Sequence, residues 1–500
     1  MDIHLLALLL FCLCGQGLTD DGLSENGTDS PDRTSLEPSI PKEELETTQL
    51  PGMVPTTQGP ASPAPTHDAP EYLTTPPTTV PTFTSSYPEE EGSSEEEHDE
   101  CYGGQASSAD AKRAVGGAIM KLGLKLLEAL KPSPEQPNMI ISPLSISLAL
   151  SQLALGAVNE TEDLLLHFLH ADTLPCYHKS MRALRQQLHN NVLQIATRMY
   201  LQPGFKVKSA FKKESLRMYK SDAMPLPGLE EINRWVENVT KGHMTQFLSS
   251  LPPNLVLMLI NAIHFKGQWQ SRFDSRFTSK DLFFISDKEV VHVDMMLAPK
   301  YPLSLLIDRE LDAQVAHFPF KQHMSFLVVI PMSGQVNVSA IAAKLNTADL
   351  YARFPPPKTM QVKLPKLKLE HSLELQEALT SMGLGDLFLR PNLAGIADGP
   401  LLVSSMQHKA SMELNEDGAE ASAATGLMIS RSNPSFSADQ PFFFALMDDK
   451  TQTPIFLGVI RNPNPGSAAM QIGGFLGGDN PDKLGFPDKN DGNSFNHIPK

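Results

Sequence analysis

The chain has 500 residues and a formal net charge of −16. The charge is uneven: residues 18–100 hold 19 acidic and 2 basic side chains, while residues 101–500 hold 39 basic against 37 acidic. A near-neutral body argues against general nucleic-acid binding, and no apolar run is long enough to span a membrane.

The chain opens with "MDIHLLALLLFCLCGQGLTDDG", an apolar run of about ten residues followed by small residues at Gly15 and Gly17. This reads as a secretory signal peptide over 1–17, cut after Gly17, so the mature protein is expected outside the cell, in plasma. Removal of Cys12 and Cys14 leaves Cys101 and Cys176, which in an oxidising compartment most simply form one disulfide, with two buried thiols as the alternative. Asn26, Asn159, Asn238 and Asn337 are N-glycosylation acceptors by motif. Residues 18–108 are an acidic Pro/Thr/Ser-rich arm with too little apolar surface to offset its ordering entropy, and are expected to be disordered. Tyr87 and Tyr102, beside acidic residues, are candidate sulfation sites.

From Ala109 the pattern changes. Ile119, Leu122, Leu126 and Leu130 share a helical face, and Pro132 ends the run. "MIISPLSISLALSQLALGA" predicts a short strand, then a buried helix with Pro143 in its first turn. "VLQIATRMYLQ" and "LVLMLINAIHFKGQW" predict strands, the second apolar on both faces and so central in a sheet. "MSFLVVIPM", "MQVKLPKLKLE", "QPFFFALMD" and "TPIFLGVIRNP" predict four more, and "SSMQHKASMEL" puts His408 in a further strand. Helices and strands without regular alternation favour an α+β fold in one large domain over 109–465. Residues 466–500 read as a linker-like, lysine-containing tail.

The usual metal and catalytic spacings, H-E-x-x-H, paired C-x-x-C, Walker A and G-x-S-x-G, do not occur. No metal, cofactor or catalytic residue is expected, and the chain is read as a non-enzyme. What stands out instead is "GAEASAATGLMISRSNPSF" at 418–436: a run of very small residues, then an apolar patch, then one arginine.

Seven blocks in order resemble the serpin family. "NMIISPLSISLALSQLALGA" (138–157) is similar to its N-x-x-x-S-P-x-S segment, "INRWVENVTKGHMTQFL" (232–248) to I-N-x-W-V-x-x-x-T-x-G, and "LINAIHFKGQWQSRFD" (259–274) to N-A-x-x-F-K-G-x-W. "LPKLKLE", "ELNEDGAEASAAT", "QPFFFALM" and "PIFLGVIRNP" match later blocks. The resemblance implies three β-sheets, eight or nine helices and an exposed reactive loop at about 416–440. It implies shutter residues Ser142, Ser145, Asn261 and His408, with Trp269 at the upper end of the main sheet. It also implies a hinge at Glu416, Gly418, Ala419, Ala421, Ala423, Ala424 and Thr425, whose small side chains suit insertion into a packed sheet. The expected activity is covalent suicide trapping of a serine protease.

Usual family spacing counted from Glu416 puts the cut after Ser432. Chemistry prefers Arg431, because trypsin-like proteases hold arginine through a bidentate, charge-assisted pair. The expected reactive bond is therefore Arg431–Ser432. This shorter spacing, and a tail with "DKLGFPDK" and a terminal "PK", resemble the branch of the family that inhibits plasmin. That implies plasmin as partner, its protease domain meeting the loop and its kringles meeting Lys483, Lys489 and Lys500. Gln49 and Gln58 are candidates for fibrin crosslinking, though the arm is otherwise unlike that branch. Two alternatives stay open: an inhibitor of thrombin or another trypsin-like protease aided by the acidic arm, and a non-inhibitory carrier. The basic stretch Lys206, Lys208, Lys212, Lys213, Arg217 and Lys220 reads as a solvated helix face before a glycosaminoglycan site. A monomer without membrane or nucleic-acid partners is expected.

Overall fold

The computed structural model describes residues 108–188, 192–417 and 434–472. Its elements begin with helix α1 (Ser108–Ala129), strand β1 (Met139–Ile141), α2 (Pro143–Ala154), α3 (Glu160–Phe168), α4 (Tyr177–Leu188), β2 (Leu193–Leu201), α5 (Ser209–Tyr219), β3 (Ala223–Pro225), α6 (Leu229–Val239) and β4 (Leu257–Lys266). There follow β5 (Ser279–Phe284), β6 (Glu289–Asp308), β7 (Ala313–Pro319), β8 (Met324–Pro331), α7 (Val338–Lys344), α8 (Thr347–Arg353), β9 (Lys358–Pro365) and β10 (Leu367–Glu374). The last are α9 (Gln376–Leu379), α10 (Asp386–Leu389), β11 (Val403–Leu414), β12 (Ser435–Ser437), β13 (Phe442–Asp448), β14 (Thr453–Ile460) and β15 (Met470–Gln471). The architecture is α+β. The described residues hold ten α-helices rather than eight or nine, two of them single turns of four residues.

The strands form a five-stranded sheet in the order β10-β11-β4-β2-β3 and a ten-stranded one along β1-β14-β13-β8-β7-β6-β9-β12, with β5 and β15 joined to β6. The 20-residue β6 explains why three expected sheets become two: it pairs with β5 and β9 over one part and with β7 over the other, fusing two sheets. Its sequence hides it, because Pro299 and Pro302 argue against a strand. The structure accommodates Pro299 where the β6–β9 register shifts, between Ala298 and Tyr301, while Pro302 lies in register opposite Thr359. "MQVKLPKLKLE" is also two strands rather than one: β9 lies in the ten-stranded sheet, β10 in the five-stranded sheet, and the chain crosses between them at Lys366.

Helix α2 is buried along all twelve residues, between the two sheets, with contacts to β14, β4 and β2. Ser142 caps it, its hydroxyl accepting from the Ser145 N–H, and Pro143 occupies the first turn, where no N–H is needed. Against it lies α1, and Gly123 sets that approach: a Cβ there would meet the Pro143 ring at 2.7 Å. The central strand β4 is buried at every position except Lys266. It runs antiparallel to β2 and parallel to β11. Beyond Pro465, β15 pairs antiparallel with the start of β6, so the sheet continues into what reads as tail.

Candidate functional site

Four buried polar side chains meet where α2 starts beneath the β4–β11 seam. His408 and Asn261 are register partners across it. The Ser142 backbone N–H donates to His408 Nε2 (3.2 Å), so Nε2 is an acceptor and the ring proton sits on Nδ1, which donates to Asn261 Oδ1 (2.7 Å). Asn261 Nδ2 donates to the Ser145 carbonyl (2.8 Å) and to Thr197 Oγ1 (3.1 Å), and Ser145 Oγ donates to Asn261 Oδ1 (2.7 Å). Burial, with a smaller contribution from His371, pushes the His408 pKa down to about 3, so the ring is neutral at physiological pH. The four residues thus join α2, β2, β4 and β11 at one point. Thr197 and His371 belong to this cluster and were not legible in the sequence, since neither lies in a motif.

The upper end of the seam is closed differently. Trp269, 1 % exposed, stacks on Phe320 (centroids 4.2 Å apart) and is edged by Phe273, Phe318 and Phe326. Its indole N–H donates to the Asn415 carbonyl (2.6 Å) and its backbone N–H to the Asp417 carbonyl (3.0 Å). Trp269 therefore holds the segment Asn415–Asp417 that follows β11. Between them, Glu416 accepts from Thr278 Oγ1 (2.7 Å) and pairs with Lys366 Nζ (3.0 Å). Burial would raise its pKa, but those two bonds outweigh it and hold the carboxyl below its ordinary value. Lys266 and Glu413 add an ion pair across the seam (3.2 Å). Lys366 and Thr278 escaped sequence reading because their role depends on the chain's crossing between sheets.

On its far side the segment re-enters at β12, which lies parallel to β9 with Phe436 buried and the Gln361 N–H donating to the Pro434 carbonyl (3.0 Å). Asp417 thus follows a strand of the five-stranded sheet, and Pro434 precedes a strand of the ten-stranded one. Gly418, Ala419, Ala421, Ala423, Ala424, Thr425, Arg431 and Ser432 lie outside the described residues, as do Lys483, Lys489, Lys500, Asn26 and Cys101. Cys176 is disulfide-bonded. Asn159, Asn238 and Asn337 are exposed; Asn337 caps α7 through Oδ1, which leaves its amide nitrogen available for a glycan. In the basic stretch, Lys208, Lys212 and Arg217 are paired with Asp398, Asp222 and Glu214.

The α+β body, its two sheets and the parallel β4–β11 seam find their counterparts in known proteins. The family model Serpin (serine protease inhibitor) matches residues 117–463, and the chain belongs to that family. It is 42% identical over 361 residues to alpha-2-antiplasmin of Bos taurus, covering 71% of this chain and 73% of that one. It is 41% identical over 371 residues to alpha-2-antiplasmin of Mus musculus, covering 73% and 75%. Among solved structures, uncleaved ovalbumin superposes with a TM-score of 0.64 at 26% identity, covering 70% of this chain and 100% of that one. Mouse protein-Z dependent protease inhibitor superposes with a TM-score of 0.64 at 22% identity, covering 71% and 99%.

Proposed function

We propose that the chain is a secreted inhibitor of plasmin that traps the protease covalently and so restrains fibrinolysis. The observation that carries the trapping mechanism is the parallel β4–β11 seam, with the reactive segment leaving the top of β11. A segment folding back from Asp417 between those strands runs antiparallel to both. Insertion then exchanges one parallel ladder for two antiparallel ones, which pair slightly better per residue. Ala419, Ala421, Ala423 and Thr425 fall on one face of such a strand, all small enough for a packed interior.

The chemistry is the protease's own. Its serine Oγ attacks the carbonyl carbon of Arg431, the C–N bond to Ser432 breaks, and the Ser432 amine leaves with the proton. The product is an ester between Arg431 and the enzyme. Insertion carries that ester away from Ser432 before water reaches it. For the seam to open, the His408–Asn261 bond, the Lys266–Glu413 pair and the Trp269 contacts to Asn415 and Asp417 must give way, so these groups set the barrier. Arg431 suits any trypsin-like protease. The similarity to proteins named alpha-2-antiplasmin favours plasmin, and lysines 483, 489 and 500 supply the kringle ligands.

Incubation with plasmin, with thrombin as control, followed by denaturing electrophoresis and N-terminal sequencing tests this. The expected result is a covalent adduct with plasmin and a released fragment beginning at Ser432. Cleavage without adduct would make the chain a substrate, and an adduct with thrombin alone would reassign the target.

A further inference from the structure

We infer that His243 and His264 form a proton-sensitive latch that holds segment 243–248 down over the β4–β11 seam, and that acidification releases it. The latch is built from α6, the segment after it and the strands of the seam, and it stands apart from the trapping reading above.

His264 and Ser411 are register partners across the seam, three residues beyond Asn261 and His408. Side chains alternate along a strand, so the two pairs lie on opposite faces. Asn261 faces α2, through its bonds with Ser145. His264 faces outward, beneath the segment that follows α6. The rest of that outer face is apolar: Met258, Ile260 and Ala262 of β4 pack with Ile232 and Val236 of α6 and with Met244, Phe247 and Leu248 of the segment. Three polar side chains hold the segment in place. Asn233 Oδ1 accepts from the Phe247 and Leu248 N–H groups (3.1 and 2.9 Å) and Thr240 Oγ1 from the Met244 N–H (3.2 Å). Buried Lys409 of β11 donates to the Gln246 carbonyl (2.6 Å). Where the segment starts, His243 lies flat on His264, the ring centroids 3.9 Å and the planes 14° apart.

That stack seals a polar atom. His264 is 3% exposed; its Nδ1 meets Ser411 Oγ (3.1 Å), and its Nε2 has no hydrogen-bond partner among the described residues. A proton added to the ring makes both nitrogens donors and leaves a buried, charged N–H without an acceptor. The surrounding charges do not relieve it. Lys266 on β4 and Lys409 on β11 are of like sign, and the nearby carboxylates, Glu413 on β11 and Glu370 on β10, are already paired with those lysines (3.2 and 2.5 Å). On the covering side stands His243, a second imidazole. Burial first, and His243 next, hold the His264 pKa at about 4. Lifting the segment exposes Nε2 to water, so the open form takes up a proton that the closed form refuses. Between the ordinary value of 6.5 and about 4, the open form therefore gains as pH falls, by roughly five- to tenfold per pH unit.

Hydrogen exchange on the full chain tests this, with protection corrected for the intrinsic pH dependence of exchange. The Met244, Phe247 and Leu248 amides report on the latch, because side chains rather than a ladder hold them; the amides of β8, in the other sheet, report on the body. The expected result, from about pH 7.5 to 4.5, is protection over 243–248 that falls about five- to tenfold per unit below pH 6.5, with β8 better protected than the segment throughout. His264→Phe keeps a ring in the stack that takes no proton, and its protection over 243–248 should not change with pH. His264→Gln, which can still bond Ser411 Oγ, gives the same reading if the larger ring disturbs packing. Equal protection of the segment and β8 at every pH would mean that exchange proceeds by global unfolding, and would overturn the latch. So would protection over 243–248 that ignores pH in the unmodified chain, or that keeps its full pH dependence in both variants.

Discussion

At the residue scale two side chains carry the predictions. Under the proposed function, Arg431 is the residue a trypsin-like protease would bind through a buried carboxylate. Truncating one partner of such a pair costs about 3–5 kcal/mol, so Arg431→Ala should slow plasmin inhibition by about 10²–10⁴-fold in progress-curve assays, while the thermal midpoint of the free inhibitor stays put. His408 is the reverse case, useful because it is sealed in. Unfolded, it titrates near 6.5; folded, burial holds its pKa at about 3. Between those values the unfolded chain binds a proton that the folded chain refuses, so stability is full above pH 6.5 and declines as pH falls through this window. His264, pushed to about 4 by burial and by stacked His243, acts in the same direction. Thermal midpoints measured from pH 7.5 to 4.5 should fall, and His408→Gln should flatten the slope by up to about 1.4 kcal/mol per pH unit. An unchanged slope would mean that another group dominates. His408 was legible as a buried, hydrogen-bonded histidine in a strand; its tautomer was not, because that is set by a backbone N–H from Ser142, 266 residues away.

At the element scale, the seam between β4 and β11 matters most. Both strands are buried over most of their length, and an inserted strand must match them in volume. Ala421→Arg would bury a charge without a partner on the inserting face, which costs several kcal/mol. The expected outcome is cleavage at the same bond with little or no adduct, read as a steep rise in the stoichiometry of inhibition; an unchanged stoichiometry would place residue 421 on the outer face. The sequence reading found β4 because its hydrophobic run is long and unbroken, and placed "SSMQHKASMEL" in a strand without such a run. It missed β5, β6 and β7. β6 contains two prolines, one of them at a register shift, and its membership of two sheets is a property of its neighbours. The split of "MQVKLPKLKLE" escaped for the same reason, since Lys366 carries no local sign that the chain changes sheets there.

At the scale of the whole molecule, distant segments are held to one body by few bonds. The disulfide at Cys176 is one of them. If it closes to Cys101, the enclosed loop is long, and its loss should cost about 2–5 kcal/mol. Cys176→Ser should lower the thermal midpoint while leaving the plasmin adduct intact at low temperature. A variant with an unchanged midpoint would show that the bridge serves only to hold the arm. In the other sheet, β12 pairs with β9 and β15 with β6.

The sequence by itself determined the class of fold, the buried helix behind the seam, the small-residue run and the lone arginine, because each depends on local periodicity or side-chain size. Seven ordered blocks were enough to assign the family. Tertiary structure decided which groups close the seam: the Nδ1 proton of His408, the Thr278 and Lys366 partners of Glu416, and the indole bond to Asn415. Those contacts join residues fifty or more, and mostly more than a hundred, positions apart, and no local pattern encodes them. The tail shows the same division. Its lysines are plain in the sequence, but only the pairing of Met470 with Val290 fixes where it begins.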